Sequence, residues 1–272
     1  MGYIKKSSTL LLTLSLIFLP ATSFSSPPVP PLLPTLEKAH DTDSILAALT
    51  GVFYRLDGGI DEQGNFILLA KPETKFSSPG FNCSGLVLEA TRFLLNKNIT
   101  IRDAVKDRLN DSGPDSPLGQ DWDFGWDLAL NISEGSPRTL LLPENKKADP
   151  STMNGMVARG FDLHSSETWV EIPARILPGH LYLASFSRES SAGGYKLLHY
   201  HVGILHRNMQ GDIIITHTTR TRKKSYQQNL SDKKGLESFL TAFANTGTAR
   251  KMVAIIEVEL PENAFRSREP SL

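Results

Sequence analysis

The 272 residues, 40% hydrophobic and 21% charged, have the composition of a globular chain, which excludes an intrinsically disordered protein. Twenty-nine basic residues balance twenty-nine acidic ones, so the overall charge gives no basis for nucleic acid or an anionic membrane surface as a partner. A single cysteine excludes a disulfide framework within the chain and any structural zinc site built on paired thiolates, and no metal or organic cofactor is implied.

Lys5 and Lys6 precede the apolar run Leu10–Leu19, and Ala21, Thr22, Ser23 and Ser25 follow it. That is the charged, apolar, small-residue order of a secretory signal, assigned to residues 1–25. The apolar run falls short of the roughly twenty residues that span a bilayer, so no integral membrane segment is expected after its removal. The expected destination is the periplasm or the exterior of a bacterial cell envelope. Residues 26–40, with Pro27, Pro28, Pro30, Pro31 and Pro34, predict an extended tether, and 41–265 a single domain. Asp41, Thr42 and Asp43 offer caps before Ile45, Leu46, Leu49 and Phe53, which predicts a helix at about 42–56 closed by Gly58-Gly59. Leu86, Val87, Ala90, Phe93 and Leu94 recur at helical spacing after a Ser/Pro/Gly loop, placing Cys83 in the first turn of a buried helix. A short helix is predicted near Ile101–Leu109. Residues 100–175, a Gly/Pro/Asp-rich stretch holding Trp122, Phe124 and Trp126, have the look of an insertion that covers part of a cleft. Strands are predicted at Trp169–Ile172, His180–Ser187, Leu197–His206, Asp212–Thr219 and Met252–Leu260, and a helix through Leu236, Phe239, Leu240 and Phe243. Helices first and antiparallel strands afterwards predict an α+β fold, with the amino-terminal helices packed on the sheet. No internal repeat is evident.

A lone thiol in an exported protein is either a buried, inert side chain or a functional one. Cys83 lies where a loop enters a helix, and the free N–H groups and positive dipole end there favour a thiolate. Along Leu197–His206 the positions Leu198, Tyr200, Val202 and Ile204 make one face, and His199, His201 and Gly203 the other, read as polar and open. A five-residue turn, Arg207–Gly211, would pair His206 with Asp212 and therefore His201 with His217, close enough for one imidazole to orient the other. A nucleophile, a base and an orienter are the parts required for thiol catalysis, and Cys83, His201 and His217 can fill them in that order. His199, His206, His40 and His164 are read as structural.

The series Asn82-Cys83-Ser84-Gly85-Leu86-Val87, Leu177-Pro178-Gly179-His180-Leu181-Tyr182, His201-Val202-Gly203-Ile204-Leu205 and Ile215-Thr216-His217 resembles, in order, the motifs of the NlpC family of papain-like cell-wall cysteine peptidases. Members typically carry Asp where Asn82 stands, and Asp where His180 stands, and the usual upstream Tyr-x-Trp-Gly-Gly-type segment is missing here. The resemblance implies a papain-like NlpC-type fold and a Cys83-His201-His217 triad, with an oxyanion held at the helix start by the Cys83 or Ser84 N–H. It further implies a thioester intermediate and cleavage of an amide bond in the stem peptides of peptidoglycan, so the expected partner is peptidoglycan or its peptide fragments. Two other readings stay open. One is an amidase or acyltransferase that passes through the same thioester. The other is a catalytically silent envelope-binding protein, in which Trp122 and Trp126 stack on sugar rings as substrate-binding residues.

Overall fold

Asp41 starts helix α1 (Thr42–Ala48) by accepting the Ser44 N–H at 2.7 Å, while the Ser44 hydroxyl accepts the Asp41 N–H at 3.1 Å. The computed structural model describes residues 35–36, 39, 41–110, 121–190, 196–244 and 249–261. The expected signal segment, 1–25, lies outside them, as does most of the expected tether. Of that tether, Leu36 and Ala39 are buried in the core, so folded structure begins before Asp41. The elements that follow are β1 (Gly58–Ile60), β2 (Phe66–Leu68), β3 (Lys71–Phe76), α2 (Cys83–Leu95), α3 (Ile101–Ala104), α4 (Phe124–Ile132), β4 (Arg138–Leu142), β5 (Lys146–Ala148) and β6 (Phe161–Asp162). After them come α5 (Thr168–Arg175), β7 (His180–Glu189), β8 (Leu197–Arg207), β9 (Ile213–Thr219), β10 (Lys224–Asn229), α6 (Lys233–Ala242) and β11 (Lys251–Glu259).

The strands make a small antiparallel sheet, β1-β2-β3, and a large one in the order β10-β9-β8-β7-β11-β4-β5, with β6 also on β11. Every pairing in the large sheet is antiparallel. Both of its faces are covered, and the strand alternation shows how. Leu181 and Leu183 of β7 with Ala254, Ile256 and Val258 of β11 enter one core with α1, α2 and α4. Tyr182, Ala184 and Phe186 with Val253 and Ile255 enter a second core with α5 and α6. This is an α+β fold with amino-terminal helices on an antiparallel sheet, as expected, with two further helices on the opposite face. No helix among the described residues is long and apolar enough to cross a membrane.

Two expectations are corrected. The first helix ends well short of residue 56, because Gly51 adopts φ +80° and the next segment bonds to β10 instead, the Gly51 N–H to Ser225 O at 2.9 Å and the Tyr54 N–H to Lys223 O at 2.9 Å. Trp169–Ile172 is helical: Trp169 and Ile172 sit one turn apart and face the second core, a spacing that a four-residue apolar run cannot distinguish from a strand. The described parts of residues 100–175, expected as an insertion, are packed into the domain. They supply β4 and β5 to the large sheet, and α4 packs Trp126, Leu128 and Ala129 into the first core, so removing them would open the sheet at β11.

Candidate active site

Cys83 is the first residue of α2, and the Asn82 side chain caps that helix by accepting the Gly85 N–H at 2.9 Å. Asn82 therefore does the work of a cap without a charge. Gly85 serves the packing of the helix. A Cβ there would lie 2.3 Å from Gly58 O, so its smallness lets α2 sit directly on β1.

The histidines owe their placement to a bulge. Phe186 pairs with His201 and Ser187 with His199, so Tyr200 is an extra residue in β8, 37% exposed. The bulge reverses the alternation. His201 faces the second core, with ring centroids 5.4 Å from Phe186 and 5.2 Å from Phe243. His199 faces the first core, where its Nδ1 lies 2.8 Å from Ser185 Oγ and its Nε2 2.8 Å from Gly155 O. The expectation that His199 and His201 share an open face is thus corrected, since they lie on opposite faces and both are buried.

The β8–β9 register is also shifted by two residues from the expected one: Ile204 pairs with Thr216 and Arg207 with Ile213, through a turn at Asn208–Asp212. A two-residue shift keeps every side chain on its face, so His201 and His217 become diagonal neighbours, and His201 Nε2 lies 3.0 Å from His217 Nδ1. The ladder between these strands stops at Ile204 and Thr216. Cys83 packs against the first core at this end of β8, and the Val202 N–H there, with the Ser84 hydroxyl, the Ser84 N–H and the Cys83 N–H, is placed to hydrogen-bond its sulfur. The two N–H groups expected to hold an oxyanion therefore lie at the thiol, joined by a third, that of Val202.

Cys83 and His201 line one cavity of about 340 Å³ together with Tyr54, Tyr200, residues 218–222, Tyr226, Phe243 and Lys251. Burial dominates its electrostatics. It pushes the Cys83 thiol up, against the hydrogen bonds just named, and pulls His201 down to about 3. His217 is also held well below the usual imidazole range, by burial first and then by His201 and Arg222. Burial thus opposes the thiolate expected from the helix dipole and favours a neutral thiol in a cavity with neutral imidazole.

Trp122 and Trp126 are each 1% exposed, and Trp126 lies against His199 at 6.3 Å, so neither can stack on a sugar. Their substrate-binding role is corrected to core packing. Tyr54, Phe243, Arg222 and Lys251 were not singled out in the sequence; they come from a connecting segment, a helix end, a turn and a distant strand, with no shared motif to mark them. Among the described residues Asp107, Asp121 and Asp127 gather three carboxylates, and burial raises Asp127 to about 6.

No family model matches the chain, and no curated protein matches it. Among solved structures it is similar to protein LPG0564 from Legionella pneumophila str. Philadelphia 1, described by the family model DUF1460, at 12% identity and TM-score 0.42 over 81% of this chain and 88% of that one. The NlpC membership expected from the four motifs is corrected accordingly: no family model, that of NlpC included, matches the chain. The physical reason is that four short motifs, each satisfied by strand alternation, Pro-Gly turns and one helix start, are compatible with many antiparallel sheets.

Proposed function

We propose that this chain is an exported cysteine hydrolase that cleaves an amide bond through a thioester on Cys83. The observation that supports the reading most is the 3.0 Å contact between His201 Nε2 and His217 Nδ1, made by an imidazole that shares a cavity with the only thiol of the chain. In fold terms the reading is papain-like, with a nucleophile at a helix start sharing a cavity with an imidazole on an antiparallel sheet.

The roles follow from hydrogen-bonding capacity. For His201 to accept the thiol proton on Nδ1 it must carry its own proton on Nε2 and donate it to His217 Nδ1, which places the His217 proton on the buried Nε2. Substrate arrival excludes water and brings the carbonyl to Sγ. The proton moves to His201 as the sulfur–carbon bond forms, and the carbonyl π pair becomes an oxyanion held by the N–H groups at the start of α2. Collapse expels the amine, which takes the proton from His201 Nδ1; a water then attacks the thioester, giving its proton to His201, and the thiol is regenerated. His217 keeps the imidazole in one tautomer throughout.

An acyltransferase differs only in the nucleophile of the second step, and product analysis separates the two. Peptidoglycan stem peptides are the first substrate to try, because the amino-terminal pattern of residues 1–25 suits an enzyme exported to the envelope. Purified protein and its Cys83→Ala variant, incubated with sacculi and with a mixed peptide-amide set, should give new fragments by mass only with the intact thiol. Equal fragment release by both proteins would end the hydrolase reading.

A further inference from the structure

A second groove of about 390 Å³ lies between β10 and α6 and shares Arg222 and Tyr226 with the cavity that Cys83 lines. The walls carry Arg220 and Arg222 in the first, and Lys224 and Lys234 in the second. No Asp or Glu lines the first. The one acid of the second, Asp232, is engaged in capping α6, its Oδ2 accepting the Gly235 N–H at 2.8 Å. Among the described residues no carboxylate lies within ion-pair distance of any of these four cations, whereas most other arginines have a carboxylate or carbonyl partner. Arg222 is held in place, 5.2 Å over the Tyr226 ring, and that ring is 4.5 Å from His217. Four cations against the single carboxylate of Asp232 leave the cleft with an excess of positive charge, and an anion entering it is attracted while it relieves the mutual repulsion of the cations.

Resting on the hydrolase reading, we infer that the substrate is an anion: it bears a carboxylate or phosphate beyond the scissile bond, bound along Arg222 and the β10–α6 groove. The charged group takes the guanidinium and ammonium donors, while the reacting carbonyl sits at Cys83.

The single cysteine makes this testable without turnover, because a thiol reagent reports the charge around Cys83 alone. Labelling rates of the intact protein are compared for sulfonatoethyl methanethiosulfonate, an anion, and its trimethylammonioethyl counterpart, a cation, each relative to free cysteine. The anionic reagent should be favoured by about tenfold at low salt, and the preference should shrink with added salt and in Arg222→Gln. Lys224→Gln, an exposed change, gives the same reading should Arg222→Gln disturb the fold. Succinate and inorganic phosphate are then tested for protection of Cys83, and the one that slows labelling names the anion. Equal rates for the two reagents, unchanged in both variants and with no protection, would overturn the inference. Failure of the hydrolase reading looks different: Cys83→Ala would keep full hydrolysis while the charge preference at the thiol of the parent protein persisted.

Discussion

Three side chains carry the proposed chemistry, and each fails differently when changed. Cys83→Ala removes the nucleophile at little packing cost, and kcat/KM should fall by roughly 10³-fold or more with the melting temperature unchanged. His201→Ala removes both the acceptor of the thiol proton and the donor to the leaving amine, so a loss of about 10²- to 10⁴-fold is expected. His217→Asn should be milder, since an amide oxygen can still accept the His201 N–H; if it proves as damaging as His201→Ala, His217 does more than orient. The pH dependence follows from the neutral forms that burial favours. With the thiol pushed up and His201 pulled down to about 3, alkylation of Cys83 by iodoacetamide should rise only at alkaline pH, above the ordinary thiol range. A preformed thiolate-imidazolium pair would instead react fully near pH 5, so a rate profile from pH 5 to 10 decides between them.

The bulge in β8 separates two histidines one residue apart into different jobs, and this is testable at the level of the element. His199→Ala leaves the buried Ser185 hydroxyl and Gly155 carbonyl without their partner and opens a gap beside Trp126, costing about 1–3 kcal/mol of stability while Cys83 alkylation stays near that of the parent. Inactivity of this variant with full stability would mean that His199, and not His201, serves the thiol. Gly85→Ala probes the seat of α2 on β1. Its Cβ would meet backbone, Gly58 O at 2.3 Å and Gly59 Cα at 2.8 Å, so the helix start must shift and both melting temperature and thiol reactivity should drop. The helix start itself was legible in the sequence, because an Asn cap and the apolar spacing after Cys83 are local signals. The bulge was not, because whether Tyr200 is skipped depends on how β7 pairs with β8.

At the scale of the whole molecule, burial of imidazoles ties stability to pH. His199, His201 and His217 all have folded values below the unfolded value, since burial disfavours their charged forms. Their contribution is present above the unfolded imidazole value of about 6.5 and is lost as pH falls through the folded values. For His199, lowered to about 4, the difference is about 3 kcal/mol. Asp127, raised to about 6, acts in the opposite sense and recovers some stability on acidification. Urea unfolding between pH 7.5 and 4.5 should show a net loss, and a flat or rising profile would mean that these imidazoles are wetter in solution than in the fold described.

What the chain determined by itself was local or periodic: the amino-terminal pattern, α2 with Cys83 in its first turn, and the apolar runs of β7, β8, β9 and β11. Even the His201–His217 proximity survived a two-residue error in register, because strand alternation has period two. Pairing across distant segments decided the rest. That β4 and β5 complete the sheet, that His199 turns away from His201, that Trp122 and Trp126 are core, and that Arg222 lines the cleft are facts about residues far apart in the chain. Each depends on which surfaces meet after the sheet has closed around its two cores, and short-range spacing carries no record of that.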